Sequence, residues 1–290
     1  MTAPRGLTIA GSDSGGGAGL QADLKTFQEL GVFGMSAVTA VTVQNTLGVS
    51  GVYPMTARAV AEQIDAVGSD IGVDALKTGM LFDAEIIEAA AARISAFGWT
   101  NVVVDPVMIA KGGAELLRWE AVEAMKRHLL PLALVATPNI PEAEVLAGMK
   151  IKTMEDRREA AKRIAGYGAK TVVIKGGHAG EHGEEKAQSE SGESRTSVQD
   201  LVVDLVYDGR GFEELSGVRI PTRHTHGTGC TFSAAIAARL AAGSNVREAV
   251  RTARDFIQAA IEGAPELNLG GGHGPTAHWA YRRRIGVGQG

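Results

Sequence analysis

Asn101-Val102-Val103-Val104-Asp105-Pro106-Val107-Met108 puts three valines in a row and closes them with an aspartate and a proline. An unbroken β-branched run is what a strand buried on both faces looks like, and such strands belong to parallel sheets covered by helices. Proline cannot extend the ladder, so the strand ends at the aspartate. Asp105 therefore falls at the carboxyl edge of the sheet, where open α/β folds collect their ligands. The same residue could equally be a turn or cap.

Working outward from it, short apolar segments over 7–10, 37–43, 75–78, 134–137 and 171–175 also read as strands. Between and after them, amphipathic, alanine-rich stretches over 18–30, 57–67, 84–97, 119–130, 154–167, 229–242 and 246–262 read as helices. Strands alternating with helices of this length predict an α/β fold with a mainly parallel sheet and helices on both faces. No internal repeat or interdomain linker interrupts it. Residues 180–199 are polar and poor in large apolar side chains, which predicts a surface excursion, and 282–290 read as a frayed tail.

Composition narrows the function classes. The chain of 290 residues carries 38 glycines, about twice the usual ~7% share, in scattered clusters without a repeat. Glycines between apolar segments mark tight turns and close backbone approach to ligands. The net charge of −4 argues against a general nucleic-acid binder. One cysteine cannot make an internal disulfide, the start MTAPRGLTIAG lacks the apolar core of a signal peptide, and the longest apolar stretch, Leu129 to Ala136, is too short to span a bilayer. A cytoplasmic protein is expected.

Thr225-His226-Gly227-Thr228-Gly229-Cys230-Thr231-Phe232 leads small residues into a helix. The free N–H groups of a helix's first turn favour phosphate, although the same pattern also suits a plain glycine turn. Cys230 lies in that first turn, where the helix end should lower a thiol pKa. A lone cysteine is otherwise a small core residue. Thr137-Pro138-Asn139-Ile140-Pro141-Glu142 places Asn139 and Glu142 three apart, on one side of a turn. With Asp105 they could hold a hydrated Mg2+, or they could simply form a helix capping box. Lys175 follows another buried strand and brings a cation to the same edge, unless it is merely solvated. The run 11–19, Gly-Ser-Asp-Ser-Gly-Gly-Gly-Ala-Gly, matches neither a Walker nor a dinucleotide fingerprint and suits close substrate approach better. No zinc spacing is present, and His226 is expected only to shape its loop.

Seven segments in order, GSDSGGGAGLQADLKTF, AVTAVTVQNTLGV, LKTGML, VVVDPVM, TPNIPEAEVL, VIKGGH and THGTGCTFSAAIAA, resemble the hydroxymethylpyrimidine kinase/phosphomethylpyrimidine kinase family of thiamine biosynthesis. The resemblance runs from Leu7 to Ile261, and the HGP beginning at His273 extends it. It implies a ribokinase-like, three-layer α/β/α sandwich forming a single domain over 1–281. It also implies a kinase using ATP and Mg2+ to phosphorylate a small-molecule pyrimidine twice, and a homodimer with no nucleic-acid or membrane partner. By the same resemblance Gln44 and Asp23 would contact the pyrimidine, and Gly11, Met80 and Val107 would pack around it. Asp105, Asn139 and Glu142 would hold Mg2+, while Lys175 and Thr225 would lie near the nucleotide phosphates. Gly227, Thr228, Gly229 and Cys230 would form the anion hole, with Cys230 as a thiolate base where most of the superfamily has an aspartate. The excursion at 180–199 departs from the family pattern, so no adenine contact is assigned. A pyridoxal/pyridoxine kinase of the same fold is the nearest alternative, and a non-catalytic pyrimidine-binding regulator is the next.

Overall fold

The computed structural model describes residues 2–108, 119–177 and 201–286. The expected excursion at 180–199 lies outside them. In chain order the elements are β1 (Arg5–Asp13), α1 (Gly19–Glu29), β2 (Phe33–Asn45), β3 (Gly48–Pro54), α2 (Ala57–Asp70), β4 (Ala75–Thr78), α3 (Ala84–Phe97), β5 (Val102–Val104) and α4 (Trp119–Ala124). They continue with β6 (Val135–Ala136), α5 (Ile140–Ala147), α6 (Met154–Ala165), β7 (Thr171–Ile174), β8 (Leu201–Tyr207), β9 (Phe212–Val218), α7 (Thr228–Ala241), α8 (Val246–Glu262) and α9 (Ala280–Arg284). The last helix contains Arg282, Arg283 and Arg284, so the stretch expected to fray begins inside an element; 287–290 are not described.

The described strands form one sheet in the order β3-β2-β1-β4-β5-β6-β7-β8-β9. From β2 through β7 all pairs are parallel, as the valine run requires, and β3, β8 and β9 add antiparallel edges. The apolar run LVVDLVY of β8 was not expected as a strand, whereas β3 and β9 escape a hydrophobic-run reading for physical reasons. β3 (GVSGVYP) is broken by glycines and stays half exposed, and β9 (FEELSGV) is charged on its open face.

Valine alternation sorts the layers. Val102 and Val104 pack with α2, α3, α4, α5 and α6 on one face, and Val103 packs with α1, α7 and α8 on the other. The result is a three-layer α/β/α sandwich. Helix α7 is buried along almost its whole length, from Thr231 to Ala238. A helix that is apolar on every side must be enclosed, and its alanines let α1 and α8 approach closely. Its N-terminus is therefore fixed against the carboxyl edge of the sheet.

Candidate active site

Asp105 follows β5 and is 1% exposed. Its Oδ1 accepts from Lys175 Nζ (2.8 Å) and Thr137 Oγ1 (3.1 Å), and its Oδ2 accepts from Ser233 Oγ (3.2 Å) on α7. Burial alone would raise its pKa, but Lys175 and Lys77 hold it below the ordinary value. Lys175 reaches this point because β7 ends there, its backbone N–H donating to Pro138 O (2.9 Å). Asn139 and Glu142 form a capping box at α5: Asn139 Oδ1 accepts from Glu142 N–H (2.9 Å), and Glu142 Oε2 accepts from Asn139 N–H (2.8 Å). Burial pushes the Glu142 carboxyl up to about 7, Lys175 opposes this, and Asp105 adds to it.

The start of α7 faces this cluster. A Cβ added to Gly229 would stand 3.2 Å from Lys175 Nζ and 3.8 Å from Asp105 Oδ2. Gly227 caps the helix with φ of 81°, a conformation that favours glycine, and its Cα faces the Gly17 carbonyl with no room for a side chain. Thr228 N–H turns back toward Thr225 O, while the N–H groups of Gly229 and Cys230 have no intrahelical acceptor, and Gly229 lies beside the lysine and Asp105. The Cys230 pKa does not fall as its place at a helix start would lead one to expect. Burial pushes it up to about 11; Lys77 works against this, and Asp23 and Asp105 reinforce it. Two neighbouring carboxylates and lost hydration outweigh the helix end.

Around the glycine-rich turn, Asp13 is 2% exposed and acts as an internal cap. Its Oδ1 accepts from Gly15 N–H (2.8 Å), and its Oδ2 accepts from Gly17 N–H (3.0 Å) and Ala18 N–H (2.8 Å). Those N–H groups are thereby spent inside the turn. His226 Nε2 also meets Asp13 Oδ2, at 2.9 Å, and meets the Gln44 amide at 3.2 Å. Gln44, near the end of β2, is half-buried. Gly11 lies within β1, where the Met80 side chain occupies the space a Cβ would need, so these two predicted ring contacts do come together. Val107 is half-buried beside Asp105, its N–H bonded to Asp105 O (2.8 Å). Thr225 lies at the turn into α7, its carbonyl receiving Thr228 N–H at 3.4 Å.

Asp23, expected to contact the pyrimidine, lies below the surface of the site. It is fully buried, with Lys77 Nζ 3.0 Å from Oδ1 and 2.9 Å from Oδ2, and Thr8 Oγ1 2.6 Å from Oδ2. Both oxygens are committed to protein groups, and it serves as the partner of a buried lysine. Lys77 and Asp13 were missed by the sequence reading. A lysine inside the four-residue strand Ala-Leu-Lys-Thr is itself a signal, since burial there demands an acid partner.

The donor set suits Mg2+ in one form only. Among the described residues no three His, Cys, Asp or Glu side chains make a closed cage. Yet Asp105 and Glu142 share the single ammonium of Lys175, which leaves negative charge for a hard cation that keeps several waters. Asn139 Oδ1 accepts the Glu142 N–H in the cap (2.9 Å), which holds Glu142 in place.

A three-layer sandwich with a helix N-terminus aimed at buried acids and a lysine on the sheet's carboxyl edge defines a ribokinase-like small-molecule kinase. The profile of the phosphomethylpyrimidine kinase family matches residues 13–277. The chain is 54% identical over 277 residues to a hydroxymethylpyrimidine/phosphomethylpyrimidine kinase of Haemophilus influenzae, covering 96% of this chain and 97% of that one. It is 50% identical over 283 residues to the enzyme of that name from Bacillus subtilis, covering 98% and 97%. Its fold overlays that of a Staphylococcus aureus pyridoxal kinase in complex with AMP-PCP and pyridoxal, with TM-score 0.84, 40% identity and coverage of 98% and 96%. This chain belongs to the phosphomethylpyrimidine kinase family.

Proposed function

We propose that the protein uses ATP to phosphorylate 4-amino-5-hydroxymethyl-2-methylpyrimidine, and then its monophosphate, as a cytoplasmic enzyme of thiamine biosynthesis. The observation that carries this reading is the meeting of α7's N-terminus with Lys175 and Asp105, which puts N–H donors, a cation and an acid within reach of one phosphate. Phosphoryl transfer depends mainly on such positioning and charge stabilisation. Gly227, Thr228, Gly229 and Cys230 would hold the transferring group through backbone N–H donors, and Lys175 and Thr225 would lie along the nucleotide phosphates. Asp105 and Glu142 would hold Mg2+ through water, with Asn139 fixing Glu142. Bound there, Mg2+ would neutralise phosphate charge. Gln44 offers a donor and an acceptor to an aminopyrimidine edge, between Gly11, Met80 and Val107.

In the first transfer the substrate hydroxyl oxygen bonds to the γ-phosphorus, the bond to the ADP oxygen breaks, and the hydroxyl proton must leave. Cys230 would be the group to take it. With its thiol pKa at about 11, it can do so only once the bound reactants have favoured the thiolate. In the second transfer the attacking monophosphate is already anionic and gives up no proton.

A homodimer fits the β2–β3 hairpin, which exposes Val41, Val43, Leu47 and Tyr53 on an apolar outer surface. No described helix is long and apolar enough to cross a membrane.

A phosphate-resolved product assay with the hydroxymethylpyrimidine and Mg-ATP tests the reading, with pyridoxal run in parallel. Monophosphate followed by diphosphate is expected. Turnover of pyridoxal alone would move the assignment to the pyridoxal kinases, and tight pyrimidine binding without ATP consumption would make the protein a regulator.

A further inference from the structure

Three groups on separate elements meet at one nitrogen. His226 Nε2 lies 2.9 Å from Asp13 Oδ2 and 3.2 Å from the end of the Gln44 amide. The His226 ring is 14% exposed and lies against Gly17 at a point where a Cβ would come within 2.7 Å of it. Its backbone is held too, N–H to Gly274 O at 3.1 Å. The ring therefore has little freedom to turn away.

Hydrogen-bond valence then decides how the amide sits. Asp13 already accepts three backbone N–H groups and, as a carboxylate, can only accept, so His226 Nε2 must carry a hydrogen. With the amide nitrogen toward His226, two N–H donors would face each other. That orientation would also ask the one Thr42 hydroxyl hydrogen to serve both Ser12 O (2.7 Å) and Gln44 Oε1 (3.1 Å). Exchanging the amide's oxygen and nitrogen removes the facing donors and the doubled demand on Thr42. The one His226 Nε2–H is then bifurcated between Asp13 Oδ2 (2.9 Å) and Gln44 Oε1 (3.2 Å), and Gln44 Nε2–H gives to the Thr42 hydroxyl, which keeps its own hydrogen for Ser12 O.

We propose that His226 is a specificity-determining positioning residue, which locks the Gln44 amide in one orientation and so fixes the order of donor and acceptor offered to the substrate ring. One N–H and one carbonyl lone pair remain free, in a set sense. That pattern matches a ring nitrogen beside an exocyclic amino group, whereas a ring with an aldehyde in place of the amino group gives the Gln44 carbonyl no donor. Because His226 directly precedes Gly227, the group that orients the ring reader is also attached to the anion-binding helix start.

The inference rests on the reading of Gln44 as the pyrimidine contact, and the test separates the two. Steady-state kinetics with 4-amino-5-hydroxymethyl-2-methylpyrimidine and with pyridoxal are compared for wild type, Gln44→Ala, His226→Ala and the double variant. Losing one orienting hydrogen bond is expected to raise the pyrimidine KM about tenfold and to narrow the preference over pyridoxal by about the same factor. kcat should move far less, and the double variant should be no worse than Gln44→Ala. His226→Gln, which keeps an N–H donor, should recover part of the preference. Additive losses, or a fall in kcat at unchanged KM, would overturn the inference and make His226 a support of the helix start alone. An unchanged KM in Gln44→Ala would remove the Gln44 reading and this inference with it. Should His226→Ala not stay folded, Thr42→Val removes the other anchor of the amide and must narrow the same preference.

Discussion

Lys77 and Asp23 form an ion pair with no solvent exposure on either side chain, Nζ to Oδ2 at 2.9 Å. It lies at the junction of β4 and α1, and both charges act on the Cys230 thiol, Lys77 lowering and Asp23 raising its pKa. Breaking such a pair strands one charge in the interior and should cost about 3–5 kcal/mol, whereas replacing both partners with apolar groups costs much less. Lys77→Met should therefore lower the urea midpoint strongly, and Lys77→Met with Asp23→Leu should regain most of it. Folded Asp23→Asn should keep the pyrimidine KM close to wild type. A large KM rise at unchanged stability would return Asp23 to the substrate pocket.

The alternation of strands and helices and the residues closing the parallel strands were legible because each depends on local pattern. Valines 102–104, the proline after Asp105 and the glycines before α7 state their roles within a few residues. What stayed hidden depends on partners far away in the chain. Lys77 meets Asp23 across 54 positions, and His226 meets Asp13 across 213. The Cys230 thiol illustrates the limit. Its place at a helix start was readable and pointed to a lowered pKa, but the opposing burial and carboxylates come from α1 and β5. The three-residue spacing of Asn139 and Glu142 pointed to a pair on one side of a turn, and the backbone geometry shows the capping box they form.

With its pKa raised to about 11, the Cys230 thiol in the free protein is protonated at neutral pH. Alkylation by iodoacetamide follows the thiolate, so its rate should climb about tenfold per pH unit from 7 to 10 without levelling off. Levelling off between pH 9 and 10 would show an ordinary thiol, and a plateau near pH 8 a lowered one. Cys230→Ala should slow the first phosphorylation by about 10²–10⁴-fold if the residue takes the hydroxyl proton. The second phosphorylation should change far less. Equal losses in both steps would assign Cys230 to positioning.

Gly227 is required twice, by its φ of 81° and by its approach to the Gly17 carbonyl. Gly227→Ala must push the glycine-rich turn away from α7 and spoil the anion site between them. Its kcat should fall by more than about a hundredfold, the scale seen when one oxyanion donor is lost. Gly31, which also has a positive φ but open space around it, is the control. Gly31→Ala should cost some stability and leave kcat unchanged. Similar kcat values for the two variants would show that backbone strain, and not the approach to Gly17, governs the effect.

His278 is 2% exposed, with Nε2 3.1 Å from Thr231 Oγ1 in the first turns of α7. Burial, helped by the charge of Lys25, lowers its pKa to about 4 from an ordinary 6.5. In that interval the unfolded chain binds a proton at this site and the folded chain does not, so stability must fall as pH drops. The contribution is intact above pH 6.5 and is lost progressively down to pH 4, reaching about 3 kcal/mol at 1.36 kcal/mol per unit. Glu142 works in the opposite sense, because its raised pKa makes the folded protein the better proton binder between about 4.5 and 7. The comparison must therefore be between variants and not on the wild-type slope alone. Urea unfolding from pH 7.5 to 4.5 should show His278→Gln losing less stability than wild type over that range, even if it starts lower at pH 7.5. Parallel curves for the two proteins would mean that His278 is protonated in the folded state, and that its contact with Thr231 does not depend on the neutral ring.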